Sequence, residues 1–176
     1  SSNDFGKNII PAMLADHQVM CAYNFEGYWK DVGTIESLWE ANMDLLTLPM
    51  PIDLYDTKWR IYGRNPGLAP HFIAEGASVR NSLITEGCEV FGNVDHSVIF
   101  SGVTIREGAT VKDSVVMPGA VIERGAQVQR AIISEDAVIG AGATVGEATG
   151  NIAVVGTGVR LAAGGEVKAG EQYAGQ

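Results

Sequence analysis

Residues 105–146 read IREGATVKDSVVMPGAVIERGAQVQRAIISEDAVIGAGATVG. Ile105, Val111, Val116, Ile122, Val128, Ile133, Ile139 and Val145 are six, five, six, six, five, six and six residues apart, and three steps close a seventeen-residue cycle. Neither a helical period of 3.6 nor a strand alternation of 2 produces that spacing. Aliphatics six apart share one face when short flat strands are separated by sharp turns. Three strands and three turns bring the chain back over itself, so the aliphatics stack in columns inside a prism. The turns need positive φ, which glycine, asparagine and aspartate tolerate, and EGA, PGA, RGA, GAGA and SED recur at the required offsets.

Working outward, the cycle slips at FGNVDHS (91–97), which makes one coil about two residues short. Ile73 to Val167 leaves room for about five to six coils, each rising ~4.8 Å. The chain is therefore mainly β, a parallel β-helix built on hexapeptide repeats. Its core is expected to come from columns within the repeat, with Ile122 inside and Arg124 on an outer turn. Periodicity does not fix the hand. Similarity to other hexapeptide-repeat proteins implies a left-handed helix.

The first third differs in character. Of 22 glycines, five lie in residues 1–70, and all three tryptophans fall there too. Asp4 is placed to cap a helix through Leu14, bent or restarted at Pro11. VMCAY (19–23) predicts a buried strand and GYWKDV (27–32) a second, turning at Gly33. Thr34 caps a helix with an apolar stripe of Ile35, Leu38, Asn42 and Leu45, with Trp39 and Leu46 alongside, and Pro49 stops it. Strands this short have too few neighbours for a core of their own. LPMPIDLYDTKWRIYGRNPGLAP (48–70) holds four of the six prolines and reads as a linker. The division is 1–48, 49–70 and 71–176.

Net charge is −9, with −4 in residues 1–70 and −5 in 71–176. No basic stripe exists to neutralise phosphates, so nucleic acid is not an expected partner. No apolar run spans a bilayer, no cationic amphipathic face suits a membrane surface, and SSNDFGKNII lacks a signal-peptide layout. Cys21 and Cys88 have no partner spacing and read as buried, reduced thiols of a cytoplasmic protein.

FEGYWKDVGTIESLWEANMDLL (25–46) closely resembles the end of the nucleotidyltransferase domain of bacterial ADP-glucose pyrophosphorylase (glucose-1-phosphate adenylyltransferase). DFGKNIIPAML (4–14) resembles the preceding segment of that family, and IDLYDTKWRIY (52–62) its linker to a left-handed β-helix. The resemblance covers essentially the whole chain, but the family's glycine-rich triphosphate loop has no counterpart in it. It implies that residues 1–48 are the carboxy-terminal α/β remnant of a catalytic domain, that the chain is a carboxy-terminal portion, and that this portion alone is inactive.

The implied reaction joins ATP and glucose 1-phosphate to give ADP-glucose and pyrophosphate, for bacterial glycogen, with Mg²⁺ as cofactor. Asp31 matches a metal-binding, catalytic aspartate of the family, and Trp29 a residue beside the glucose ring. Effectors, a sugar phosphate or a nucleotide, bind near the domain junction in the family, where Arg60 and Arg64 are the nearest cations. The family assembles as a homotetramer, with the β-helix serving assembly and allosteric regulation.

Read without the resemblance, DVGT is a strand-to-helix turn with Asp31 in solvent, Trp29 is a core residue and Lys30 is a solvated side chain. The glutamates after the repeat aliphatics form an outer face. His71 or His96 would point to a hexapeptide-repeat acyltransferase if a partner carboxylate and a cleft accompanied it. A non-catalytic regulatory β-helix is the third reading.

Overall fold

The structure, a computed structural model, describes residues 3–63 and 66–175. Eighteen short strands form three parallel six-stranded sheets, and every third strand in sequence belongs to the same sheet, giving a six-coil parallel β-helix. Sheet A runs through Phe72–Ile73, Glu89–Val90, Thr104–Ile105, Val121–Ile122, Val138–Ile139 and Arg160–Leu161. Sheet B runs from Ser78–Arg80 through Val111 and Val128 to Glu166–Val167, and sheet C from Leu83–Ile84 through Val116 and Ile133 to Gln172–Tyr173.

The predicted columns are the core. Ile105 lies beneath Ile122 and Ile122 beneath Ile139, and Val111, Val128 and Val145 stack in sheet B. Ile99, Ile105, Ile122, Ile133 and Ile139 are wholly buried. Each such side chain contributes about 1.5–3 kcal/mol relative to an exposed one, so adjacent coils are bound by many equal increments. No helix among the described residues is long and apolar enough to cross a membrane.

The coil length is not constant. Ile84 pairs with Ile99, a 15-residue step, whereas Ile105 pairs with Ile122, a 17-residue step. The shortening lies at Phe91–Asn93, as FGNVDHS suggests. A Cβ on Gly92 would run into the carbonyl oxygens of Arg106 and Ala109, so the tight turn needs glycine there. Sequence reading misses a second irregularity: Ile133 pairs with Val155, a 22-residue step, because residues 146–152 form an enlarged turn.

Two of the three corners turn mostly on positive-φ glycines, with Asp136 (φ 56°) in that place in one coil, as SED suggests. The corner between sheets B and C uses Asn81, His96, Asp113 and Arg130, with φ between 41° and 50°. A serine ladder beside it bonds successive coils. Ser97 Oγ donates to the Asp95 carbonyl at 2.9 Å and accepts from Ser114 N at 3.1 Å. Ser114 Oγ donates to the Lys112 carbonyl at 2.6 Å and accepts from Ala131 N at 3.1 Å. Both hydroxyls are fully buried, and these bonds are what makes that affordable.

The outer face of sheet C is apolar, and a helix covers it. That helix, α2 (Ile35–Asp44), begins at Thr34 in a reciprocal cap with Ser37. Met43 and Leu46 are buried against Val98, Val115, Ile132 and Ile152, with Ile35, Leu38 and Trp39 packed around them. The expected stripe is thus shifted: Met43 replaces Asn42, whose side-chain amide donates to the Leu38 carbonyl. The helix also stops five residues before Pro49.

The remaining amino-terminal expectations divide. Asp4 accepts from Lys7 N at 2.7 Å and starts a π-turn at Phe5–Ile9, which continues as α1 (Ile10–Ala15), so the helix restarts close to Pro11. Residues 19–23 and 27–32 form no strands, and Val19 is 95% exposed rather than buried. A strand needs a laterally bonded neighbour, and the described residues supply none to either segment. Cys21 is exposed, against expectation. Cys88 is a buried free thiol, pushed above its ordinary pKa chiefly by burial.

Candidate functional site around Tyr28 to Asp31

The segment that enters α2 is anchored at two points. At one, Asp31 Oδ1 accepts from Gly33 N at 3.1 Å, closing the tight turn that delivers Thr34 to its cap. At the other, Tyr28 Oη donates to Asp44 Oδ2 at 2.8 Å and Lys30 Nζ donates to the same oxygen at 2.9 Å. Lys30 also lies 3.2 Å from Glu40 Oε2. Lys30 is therefore an ion-pair partner of α2, not the free solvated side chain expected. The Lys30 ammonium holds the Asp44 carboxyl below its usual range, with partial burial opposing, and the bond to Asp44 raises Lys30 in return. Desolvation, then the bond to Asp44, raises Tyr28.

Between and beyond these anchors stand the two residues singled out for chemistry. Trp29 is 76% exposed and Asp31 is exposed, so Trp29 is not a core residue. Asp31 Oδ1 is engaged by the turn, and Oδ2 has no partner among the described residues. No cluster of three or more His, Cys, Asp or Glu side chains with metal-binding geometry occurs among the described residues. One exposed carboxylate fits Mg²⁺ all the same, because that ion takes one or two carboxylates and completes its shell with phosphate oxygens and water.

Arg60 is exposed and lines an open cleft of about 370 Å³ with Leu54, Tyr55, Asp56, Thr57 and Ile61. An adjoining cleft of about 320 Å³ joins Tyr28 to Ile52, Asp53, Asp56, Trp59 and Ile61. Neither Asp31 nor Trp29 lines these clefts, so the two expected sites are not brought together. Arg64 lies outside the described residues.

On the far side of α2, Trp39 fastens the helix to the β-helix corner. Its indole N–H donates to the Asp113 carbonyl at 2.8 Å, and the Arg130 guanidinium lies 4.7 Å from its ring centroid. His96 Nδ1 sits 2.8 Å from Asp113 Oδ1, which gives it the carboxylate that acyl transfer would ask for. Neither cleft described above reaches it, however. Sequence reading missed Tyr28, Asp44 and the Trp39 contacts. One signal was present: Asp44 occupies the last turn of a helix, where a negative charge is disfavoured unless a cation meets it.

Two family matches leave residues 48–70 between them. A nucleotidyl transferase family matches residues 1–47, and the family described as GlmU-like, C-terminal hexapeptide, matches residues 71–167, more than half the chain. Among curated relatives, a protein of Desulforamulus reducens named glucose-1-phosphate adenylyltransferase is 60% identical over 113 residues, covering 64% of this chain and 28% of that protein. Proteins of the same name from Bacillus mycoides and Bacillus anthracis are each 57% identical over 113 residues, covering 64% of this chain and 30% of theirs. The chain thus spans less than a third of the length of these relatives. With six coils, matching columns and a match across nearly all of them, the chain belongs to the GlmU-like, C-terminal hexapeptide family.

Proposed function

We propose that this chain is the carboxy-terminal portion of a glucose-1-phosphate adenylyltransferase, serving glycogen synthesis in the cytoplasm. The observation that carries the reading is the 57–60% identity to proteins of that name, joined to a nucleotidyl transferase match over residues 1–47. In the proposed reaction a phosphate oxygen of glucose 1-phosphate attacks the α-phosphorus of ATP. The bond to pyrophosphate breaks, and ADP-glucose forms.

Asp31 supplies a hard anionic ligand for Mg²⁺, which when bound offsets the charge of the reacting phosphates. Trp29 presents an aromatic face to the C–H surface of the glucose ring and orients it. Lys30, held by Asp44 and Glu40, is spent on the fold and does not reach for phosphate. Arg60 and Arg64 are assigned to an anionic effector, a sugar phosphate or nucleotide. The β-helix serves assembly, as a homotetramer, and regulation.

The test is Asp31→Asn in a chain carrying the complete nucleotidyltransferase domain. Turnover falls about a hundredfold or more, on the scale of ~3 kcal/mol of lost electrostatic stabilisation. The magnesium requirement rises, and the melting temperature stays put because Asn still closes the turn. Near-parental turnover at limiting magnesium removes the metal role. The 176-residue chain alone releases no pyrophosphate above background. Turnover with mannose 1-phosphate but not glucose 1-phosphate overturns the substrate.

A further inference from the structure

We propose that Asp44 is a positioning residue that sets the orientation of Trp29 and Asp31 together, an inference that rests on the function proposed above for those two residues. Tyr28 and Lys30 converge on one oxygen, Asp44 Oδ2, at 2.8 and 2.9 Å. Two side chains separated by one residue reach the same atom only if both lie on the same side of the backbone. Their neighbours then lie on the other side, as in any extended segment. The exposure follows this alternation as far as Asp31: Tyr28 and Lys30 are half-buried, Trp29 and Asp31 are exposed, and Val32, exposed as well, ends it.

The opposite end of the segment is equally determined. Thr34 bonds reciprocally with Ser37 at the start of α2, and Asp44 stands at its last residue. Residues 28–34 therefore run back along the helix from its end to its beginning, fastened at both. Asp31 has only three residues of freedom between Lys30 and Thr34, and the Asp31–Gly33 hydrogen bond takes up part of that. Helix stability alone does not account for Asp44, since the last turn carries no basic residue to offset it. Lys30, from outside the helix, is the cation that meets it.

Labelling the 176-residue chain with 5-fluorotryptophan gives fluorine resonances for Trp29, Trp39 and Trp59, assigned by single Trp→Phe changes. With Asp44→Asn, and separately with Lys30→Met, the Trp29 resonance sharpens and shifts toward its position in denatured chain, while Trp39 stays. The pair Lys30→Asp with Asp44→Lys restores it. A Trp29 resonance unchanged in both single variants overturns the role of Asp44, whatever the activity. In a chain with the complete catalytic domain, Asp44→Asn raises KM for glucose 1-phosphate about tenfold through Trp29, the scale of one charge-assisted hydrogen bond, and lowers kcat about tenfold through Asp31. An unchanged KM also overturns the positioning role. Failure of Asp31→Asn to slow turnover, with the fluorine result as expected, instead counts against the reading of the site.

Discussion

The β-helix and the segment before it illustrate two ways a sequence becomes structure. Every inner coil of the β-helix meets copies of its own pattern above and below, so its ladder hydrogen bonds and its interior columns are satisfied from within residues 71–175, and only the outer face of sheet C is covered from outside, by α2. Residues 3–63 own no comparable core. Their order is borrowed: α2 from the apolar face of sheet C, and residues 28–34 from α2. Phe25, Trp29, Trp59 and Tyr62 remain exposed at 60%, 76%, 85% and 89%. The comparison teaches that repetition confers self-sufficiency, whereas the segment proposed to carry chemistry is placed by single contacts.

The largest effect should come from breaking a column. Ile122→Asp places an unpaired charge where nothing is exposed, at a cost of several kcal/mol, a large share of any domain's stability. Circular dichroism should show no cooperative melt at the parental temperature. Arg124→Asp, two residues on, disturbs only an exposed pair with Glu107 and should change stability by about 1 kcal/mol or less. Equal melting of the two variants would refute the register.

A smaller, more local effect sharpens the contrast. Trp39→Ala removes the bond to the Asp113 carbonyl, the Arg130 contact and part of the packing beneath α2. It should weaken docking of α2 by about 2–4 kcal/mol. Limited proteolysis should then cut within residues 3–63 much faster, while the β-helix persists as a resistant product. Loss of both at the same rate would mean that the columns depend on α2 after all.

The smallest effect is a pH window on the segment that α2 holds. Asp44 is lowered from 3.8, so its contribution is complete above that value and is lost as pH falls through the folded pKa. Lys30 and Tyr28 are raised from 10.5 and 10.0, so theirs are complete below those values and are lost as pH rises through the folded ones. The Trp29 fluorine signal should therefore hold steady between about pH 4 and 10 and move on either side. A transition near pH 6 to 7 would point to a histidine and break the assignment.

How far the sequence could be read follows the same divide. Ile105, Ile122 and Ile139 announced their own stack, because a column records itself as a period. The short coil was visible as a lost beat at FGNVDHS. The enlarged turn at 146–152 was not, since GEATGNI carries ordinary turn residues and its length shows only once Val155 is paired. In the first third, VMCAY and GYWKDV have the composition of strands, but composition does not reveal whether a partner strand is present. The Asp44 contacts are equally silent, because Tyr28 and Lys30 meet it across sixteen and fourteen residues with no period linking them.

The two irregular coils carry a consequence for how the chain finds its native alignment. Between Ile99 and Val145 a displacement of one full 17-residue coil would set aliphatic on aliphatic in all three sheets, so competing alignments there are nearly degenerate. A chain built only of such coils would have several reading frames of similar energy, which are kinetic traps. The 15-residue step below and the 22-residue step above break that degeneracy. A slipped frame must swallow two missing residues at one end and five surplus ones at the other, and neither fits inside a closed prism. The irregular turns thus work as phase marks, and regularising both would be expected to leave a stable β-helix that folds to a mixture of frames.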